Sequence, residues 1–239
     1  MNISVVLTPA EIALLPQADL SETTSVVFDV LRATSTMTTA FENGVAAIYP
    51  AKDLAEALAF KKEHPDALLG GERHGEKIAG FDLGNSPLEY DDLAGREIIS
   101  TTTNGTIALR AVAHSRRVFA GALLNGSSLA RRLAREAPAR LLLVCAGTGN
   151  DFAIEDALGA GALLQSLRDL IPVALDDAGE MLLTLWKAHE GRVFETLANS
   201  KNGRRLVGRG RIEEVRWCSR TNGCQMFGVL SGNCLRPEA

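Results

Sequence analysis

Three apolar runs in this sequence break directly into polar turns, and those turns hold the side chains with the most chemistry to offer: VVFDVLRATSTMTTAF, EIISTTTNGTIALRAV and LLLVCAGTGNDFAIEDALGAGALL. In the first, Asp29 closes the apolar run, Arg32 follows three residues later, and Thr34, Ser35 and Thr36 open the next segment. Backbone amides at a helix start, hydroxyls and a guanidinium together cradle an oxyanion. The plainer account is a helix capped by Thr34 or Ser35, with Asp29 paired to Arg32. The second turn, Ser100 to Thr106, carries five hydroxyls, the Asn104 amide and Gly105. A simple helix cap needs one such hydroxyl, so the excess points to an anionic ligand. No Lys follows the second glycine position, so this is not a P-loop. The third turn leads into a small-residue apolar helix with Glu155 and Asp156 one turn inside it. Burying both acids is costly, so either one faces solvent or at least one helps to bind a cation.

Between the first two turns, Gly70 to Tyr90 combines many glycines with alternating charges and no helical period. It reads as a long structured loop anchored by Phe81, Leu83, Pro87 and Tyr90, and such loops are commonly functional. Within it Glu72 and Asp82 are candidate ligands for a hard cation, and Arg73 is a second candidate phosphate clamp. Carboxylates, two arginines and many neutral donors on strand-to-helix turns together suggest phosphoryl chemistry. An aspartyl-phosphate enzyme needs a second acid two residues after Asp29, where Leu31 stands. A cysteine phosphatase needs Arg six residues after Cys145, where Asp151 stands. Arg73-His74-Gly75 has the letters of a histidine phosphatase but no apolar strand immediately before it. A metal-activated water, or Asp29 itself, is left as the attacking group.

The elements that must carry these turns are read from periodicity. Short β-branched runs alternate with amphipathic stretches, the pattern of an α/β protein with a parallel or mixed sheet in a three-layer α/β/α arrangement. Strands are expected over 3–7, 26–29, 45–49, 67–69, 97–100, 117–119 and 141–145, with ligands gathering at their carboxyl ends. Asp53 with Glu56 and Asp177 with Glu180 read as capping boxes, the helices running to His64 and His189. NGRRLVGRGR, residues 202–211, marks a change of register before a hairpin expected from Glu214 to Leu235. The 239 residues, 46% hydrophobic, suit one compact unit over 1–239, or two tightly packed subdomains meeting near residue 170. Small residues from Ala157 to Ala162 would suit a close helix contact in a homo-oligomer. A net charge of -4 with no basic-aromatic tract argues against nucleic acid. The stretch MNISVVLTPAEIALL lacks signal-peptide features and no run is long and apolar enough for a membrane span, so a cytoplasmic protein is expected. Four irregularly spaced cysteines read as reduced thiols.

DVLRATST, GGERHGEKIAGFDLGNSPLEY, TTTNGT and CAGTGNDFAIED, in that order, resemble the motif set of the 2-phosphosulfolactate phosphatase family of coenzyme M biosynthesis. The resemblance is strongest from Ser25 to Leu164; the tail departs from it around GCQMFGVLSGN, where a Val-Pro is expected. It implies a family-specific layered α/β fold, magnesium dependence, and hydrolysis of 2-phospho-3-sulfolactate to 3-sulfolactate and phosphate. Asp29, Glu72, Asp82, Glu155 and Asp156 become candidates for magnesium binding or water activation, with Asp29, Arg32, Glu72 and Arg73 as the catalytic group. Thr34, Ser35, Asn85, Ser86, Thr103, Asn104, Gly105 and Thr106 become candidates for binding the anionic ester. A phosphatase of the same fold acting on another small anionic ester, or a non-catalytic phosphometabolite-binding module, are the competing readings.

Overall fold

The computed structural model of the chain describes residues 1–239. Its strands are β1 (Asn2–Val6), β2 (Thr23–Phe28), β3 (Ala47–Ala51), β4 (Leu68–Arg73), β5 (Glu76–Lys77), β6 (Glu97–Thr101), β7 (Arg117–Gly121), β8 (Arg140–Cys145), β9 (Ala174–Leu175), β10 (Phe227–Ser231) and β11 (Cys234–Glu238). The helices are α1 (Pro9–Ile12), α2 (Ala33–Glu42), α3 (Leu54–Glu63), α4 (Gly105–Ala111), α5 (Gly126–Glu136), α6 (Ile154–Arg168), α7 (Asp177–His189), α8 (Val193–Asn199), α9 (Lys201–Gly208) and α10 (Ile212–Cys218). No helix is long and apolar enough to cross a membrane.

All eleven strands form one sheet in the order β5-β4-β6-β3-β11-β10-β7-β2-β8-β1-β9. Strand alternation divides the core between its two faces. Val26 and Phe28 of β2 with Leu141 and Leu143 of β8 pack against α5, α6 and α7, while Val27, Leu142 and Val144 pack with α2 and α4 on the other side. The result is the mostly parallel, three-layer α/β/α arrangement expected from the sequence pattern.

Two parallel blocks, β4-β6-β3 and β7-β2-β8-β1-β9, do not pair with each other directly. The C-terminal hairpin joins them: β11 runs antiparallel to β3 and β10 antiparallel to β7. The sheet also curls around α2, whose residues from Ala33 to Phe41 are all buried. Met37 and Phe41 of α2 share one cluster with Val27 of β2, Ile48 of β3, Ile98 of β6 and Leu235 of β11. At ~4.8 Å per strand a flat sheet would separate β6 from β2 by about 24 Å. The curl brings the turn after β6 to the turn after β2.

Several sequence expectations shift. β3 lies two residues later than expected, because Val45 and Ala46 still close the turn after α2 through bonds to Ala40 and Arg96 carbonyls. The supposed long loop begins as β4, so Glu72 and Arg73 sit on a strand. The glycines hid it: Gly71 has φ +146°, and a Cβ there would lie 2.1 Å from the Thr101 carbonyl oxygen of β6. Asp53 caps α3 as expected, but α7 is capped by Asp176, which accepts from the Gly179 N–H at 2.7 Å. The hairpin begins at Phe227, and Glu214 belongs to α10. The small residues of α6 pack inside the chain against α7 and β2, so they are not a free surface for a second copy.

The hairpin's place in the middle of the sheet makes it a condition of folding. Leu235, fully buried opposite Ile48, should cost about 2–5 kcal/mol when cut to Ala. Denaturant unfolding measures this, and a loss below about 1 kcal/mol would show that the two blocks hold together without it.

Candidate active site

The turn after β2 is built by its own hydroxyls. Thr34 Oγ1 accepts the Asp29 N–H at 2.9 Å, and the Ser35 hydroxyl donates to the Val30 carbonyl at 2.8 Å. Both side chains are buried and committed to backbone, so they shape the turn and do not face its ligand side. The Asp29 carboxylate accepts from the Ala33 N–H at 3.2 Å at the start of α2, and from the Gly105 N–H at the start of α4. Only glycine permits this approach, since a Cβ on residue 105 would lie 2.7 Å from Asp29 Oδ2.

Glu72, at the end of β4, joins two further segments. Its Oε1 accepts from the Thr103 N–H at 2.7 Å and its Oε2 from the Gly75 N–H at 2.6 Å. In the loop after β6, Thr102 and Thr106 bond each other and so make the turn, as Thr34 does after β2. Asn85 accepts the Thr36 hydroxyl on its backbone carbonyl at 3.0 Å, and Ser86 caps the short helical turn that follows.

Arg32 does not pair with Asp29. Its guanidinium forms a buried ion pair with Glu214 of α10 and donates to the Gly75 carbonyl at 3.2 Å. Glu155 and Asp156 are both buried, so neither faces solvent. Asp156 Oδ1 accepts from the Val30 N–H at 2.8 Å and Oδ2 from the Gly147 N–H at 3.0 Å, tying the turn after β2 to the turn after β8. Glu155 accepts from the Asn202 amide at 2.6 Å.

These contacts surround a cavity of about 320 Å³ at the carboxyl ends of β2, β4, β6 and β8. Asp29, Arg32, Glu72, Asn85, Thr103 and Asn104 line it, with Thr148 and Gly149 from the turn after β8. Of the other sequence candidates, Thr34, Ser35, Ser86 and Thr106 build turns, Gly105 supports Asp29, and Glu155 and Asp156 lie behind the wall. Arg73 and Asp82 are elsewhere. Arg73 bonds the Glu72 carbonyl and the Thr101 hydroxyl, and the exposed Asp82 carboxylate accepts from the Leu69 N–H at 2.8 Å. Leu31, His74 and Gly75 also line the cavity, and Asn202, Arg205, Leu206 and Arg209 of the α9 segment complete the wall. Sequence reasoning passed over them, although 202, 205–206 and 209 share the spacing of one helix face.

The electrostatics are those of concentrated negative charge. None of Asp29, Glu72, Glu155 and Asp156 has an ion-pair partner in the chain. Burial, reinforced by the charges of Glu72 and Glu155, pushes the Asp29 carboxyl up to about 7. Burial also raises Glu155, and it raises Asp156 well above the ordinary range with help from Asp29 and Glu155. No three His, Cys, Asp or Glu side chains converge as a ready cation cage. The donor set nonetheless fits magnesium, which commonly takes one or two protein carboxylates and keeps its waters. Asp29 and Glu72 are two such hard-oxygen groups on one cavity, and neither is taken up by an ion pair within the chain.

Fold and cavity together define an α/β protein with a pocket of acidic and arginine side chains above the carboxyl ends of its strands. The chain belongs to the 2-phosphosulpholactate phosphatase family, whose profile matches residues 9–233. It is 40% identical over 224 residues to a protein of Caldanaerobacter subterraneus subsp. tengcongensis, covering 92% of each chain. It is 39% identical over 197 residues to one of Carboxydothermus hydrogenoformans, 82% of each, and 36% identical over 220 residues to one of Deinococcus radiodurans, 91% of each. Each of the three bears the name "Probable 2-phosphosulfolactate phosphatase".

The raised Asp29 carboxyl has a pH signature. Between its ordinary value of 3.8 and about 7 the folded protein keeps a proton that the unfolded chain has released, so stability falls as pH rises through that window. With chelator present, Asp29→Asn should therefore gain stability relative to the parent from pH 4 to 7 and hold a constant difference above it. Thermal unfolding across pH 4–8 checks this; parallel curves for the two proteins would exclude Asp29 as the titrating group.

Proposed function

We propose that this chain is a magnesium-dependent phosphoric monoester hydrolase that converts 2-phospho-3-sulfolactate to 3-sulfolactate and phosphate. The observation that carries the reading is the meeting of Asp29, Glu72 and Arg32 on one cavity. The names of the relatives support the choice of ester.

The residues divide the work as follows. Arg32, fixed between Glu214 and the Gly75 carbonyl, presents its guanidinium to the oxygens of the phosphoryl group, where charge spreads as the bond to the leaving oxygen lengthens. Thr103, Asn104 and Asn85 offer neutral donors that orient the ester. Water attacks phosphorus in line and gives up a proton, the bond between phosphorus and the ester oxygen breaks, and that oxygen takes up a proton and leaves as the hydroxyl of sulfolactate. Asp29 and Glu72 would hold magnesium, which neutralises phosphate charge and lowers the pKa of water. Asp29 would give up its proton to hold the cation, so cation affinity would rise with pH up to about 7.

Phosphate release from 2-phospho-3-sulfolactate should need magnesium, stop with chelator, and exceed release from phosphoglycerate or an aryl phosphate. No release from any ester would favour a phosphometabolite-binding module instead. Arg32→Ala alone strands Glu214 in the interior, at a cost of about 3–5 kcal/mol. The double variant Arg32→Gln, Glu214→Gln leaves no unpaired buried charge, so it should fold while kcat drops about 100-fold or more. Full turnover by a folded double variant would remove Arg32 from the chemistry.

A further inference from the structure

The cavity has a second cationic zone that the proposed chemistry does not use. Asn202, Arg205 and Arg209 lie at i, i+3 and i+7 on one face of the α9 segment, and all three line the cavity. Arg205 and Arg209 are exposed at its mouth, whereas Arg32 is 4% exposed and neutralised by Glu214. Arg205 has no acidic partner. Its guanidinium donates to the His74 backbone carbonyl, which also takes Arg209 at 3.0 Å. Arg209 shares the single carboxylate of Glu76 with Arg211, at 2.8 and 2.7 Å. Three guanidinium groups thus face one carboxylate, leaving surplus positive charge at the rim. A guanidinium held by a neutral carbonyl gains by exchanging it for an oxyanion, because both partners of the new bond are then charged.

A substrate of the proposed class has acidic groups besides its phosphate, and Arg73, read from the sequence as a second phosphate clamp, is turned away from the cavity. Resting on the phosphatase reading above, we infer that Arg205 and Arg209 bind an acidic group of the ester other than its phosphate. The phosphate occupies the inner end by Asp29, Glu72 and Arg32. Helix α9 is then the element that sets substrate selectivity, and Arg205, with the weakest existing partner, contributes most.

The test compares four esters: 2-phospho-3-sulfolactate, 2-phospholactate with a carboxylate only, the phosphate ester of 2-hydroxyethanesulfonate with a sulfonate only, and phenyl phosphate with neither. Arg205→Ala, and more so Arg205→Ala with Arg209→Ala, should lower the kcat/KM ratio of 2-phospho-3-sulfolactate over phenyl phosphate at least 10-fold, mainly through KM. Arg205→Lys should recover part of it. Which single-acid ester shares the loss identifies the group that is bound. The neighbouring Arg204→Ala, whose guanidinium turns to the Asn199 carbonyl, should leave the ratio unchanged. Equal losses on all four esters would reduce Arg205 to a structural clasp on the His74 turn and overturn the inference, as would an unaltered ratio. Should the parent hydrolyse none of the four, the phosphatase reading fails. Calorimetric binding of 3-sulfolactate then decides the inference separately: tenfold weaker binding by the double arginine variant supports it, and equal binding overturns it.

Discussion

Buried carboxylates hold the cavity together through backbone N–H groups. Asp29 takes those of Ala33 and Gly105, Glu72 those of Thr103 and Gly75, and Asp156 those of Val30 and Gly147. Each carboxylate therefore joins two chain segments, and the four strand ends around the cavity are locked in register by three side chains. A buried acid with satisfied oxygens is a strong structural link; the same acid without a counter-charge is a source of electrostatic stress. The site needs both properties. For the proposed reaction the turns must be rigid, and the carboxylate charge must remain available to a cation.

That arrangement explains why so many hydroxyls surround the site without reaching into it. Thr34, Ser35, Thr102 and Thr106 spend their hydrogen bonds on the turns, which frees main-chain amides to meet the acids. Hydroxyl-rich turns are the usual mark of an oxyanion cradle. Here the first oxyanions they serve are the protein's own carboxylates, and the cavity lies on the far side of that layer.

The curvature of the sheet is the other half of the design. Helix α2 is wrapped on all sides, and its buried polar groups find partners in distant segments: Thr38 with the Asn125 amide, Thr39 with the Trp217 indole N–H. The last strands enter between two parallel blocks and complete the curl. Residues from the C-terminal third consequently reach a site otherwise assembled from the first two thirds. Glu214 enters as the partner of Arg32, and α9 as the rim. The acidic inner end and the basic rim come from chain segments whose separation keeps them from neutralising each other locally.

The strand-turn-helix units were legible in the sequence because their causes are local. Apolar alternation sets the strands, and a cluster of Thr, Ser, Asn and Gly ends them. Asp29, Thr103 and Asn104 could be singled out by their place in such turns, Glu72 by the glycine-rich segment that read as a loop, and Asn85 by the family resemblance. Partner choice is not local. Arg32 finds Glu214 across 182 positions, and strand alternation puts Glu72 on the cavity while Arg73 turns to Thr101. Asp82 is spent on the Leu69 N–H. Glycines that read as a loop are required by the close packing of β4 on β6. Sequence thus determined which turns border the cavity, since turn formation depends on neighbouring residues. Tertiary structure alone decided which acids and arginines face the cavity, since that depends on strand order, sheet curl and the side of each strand on which a residue falls.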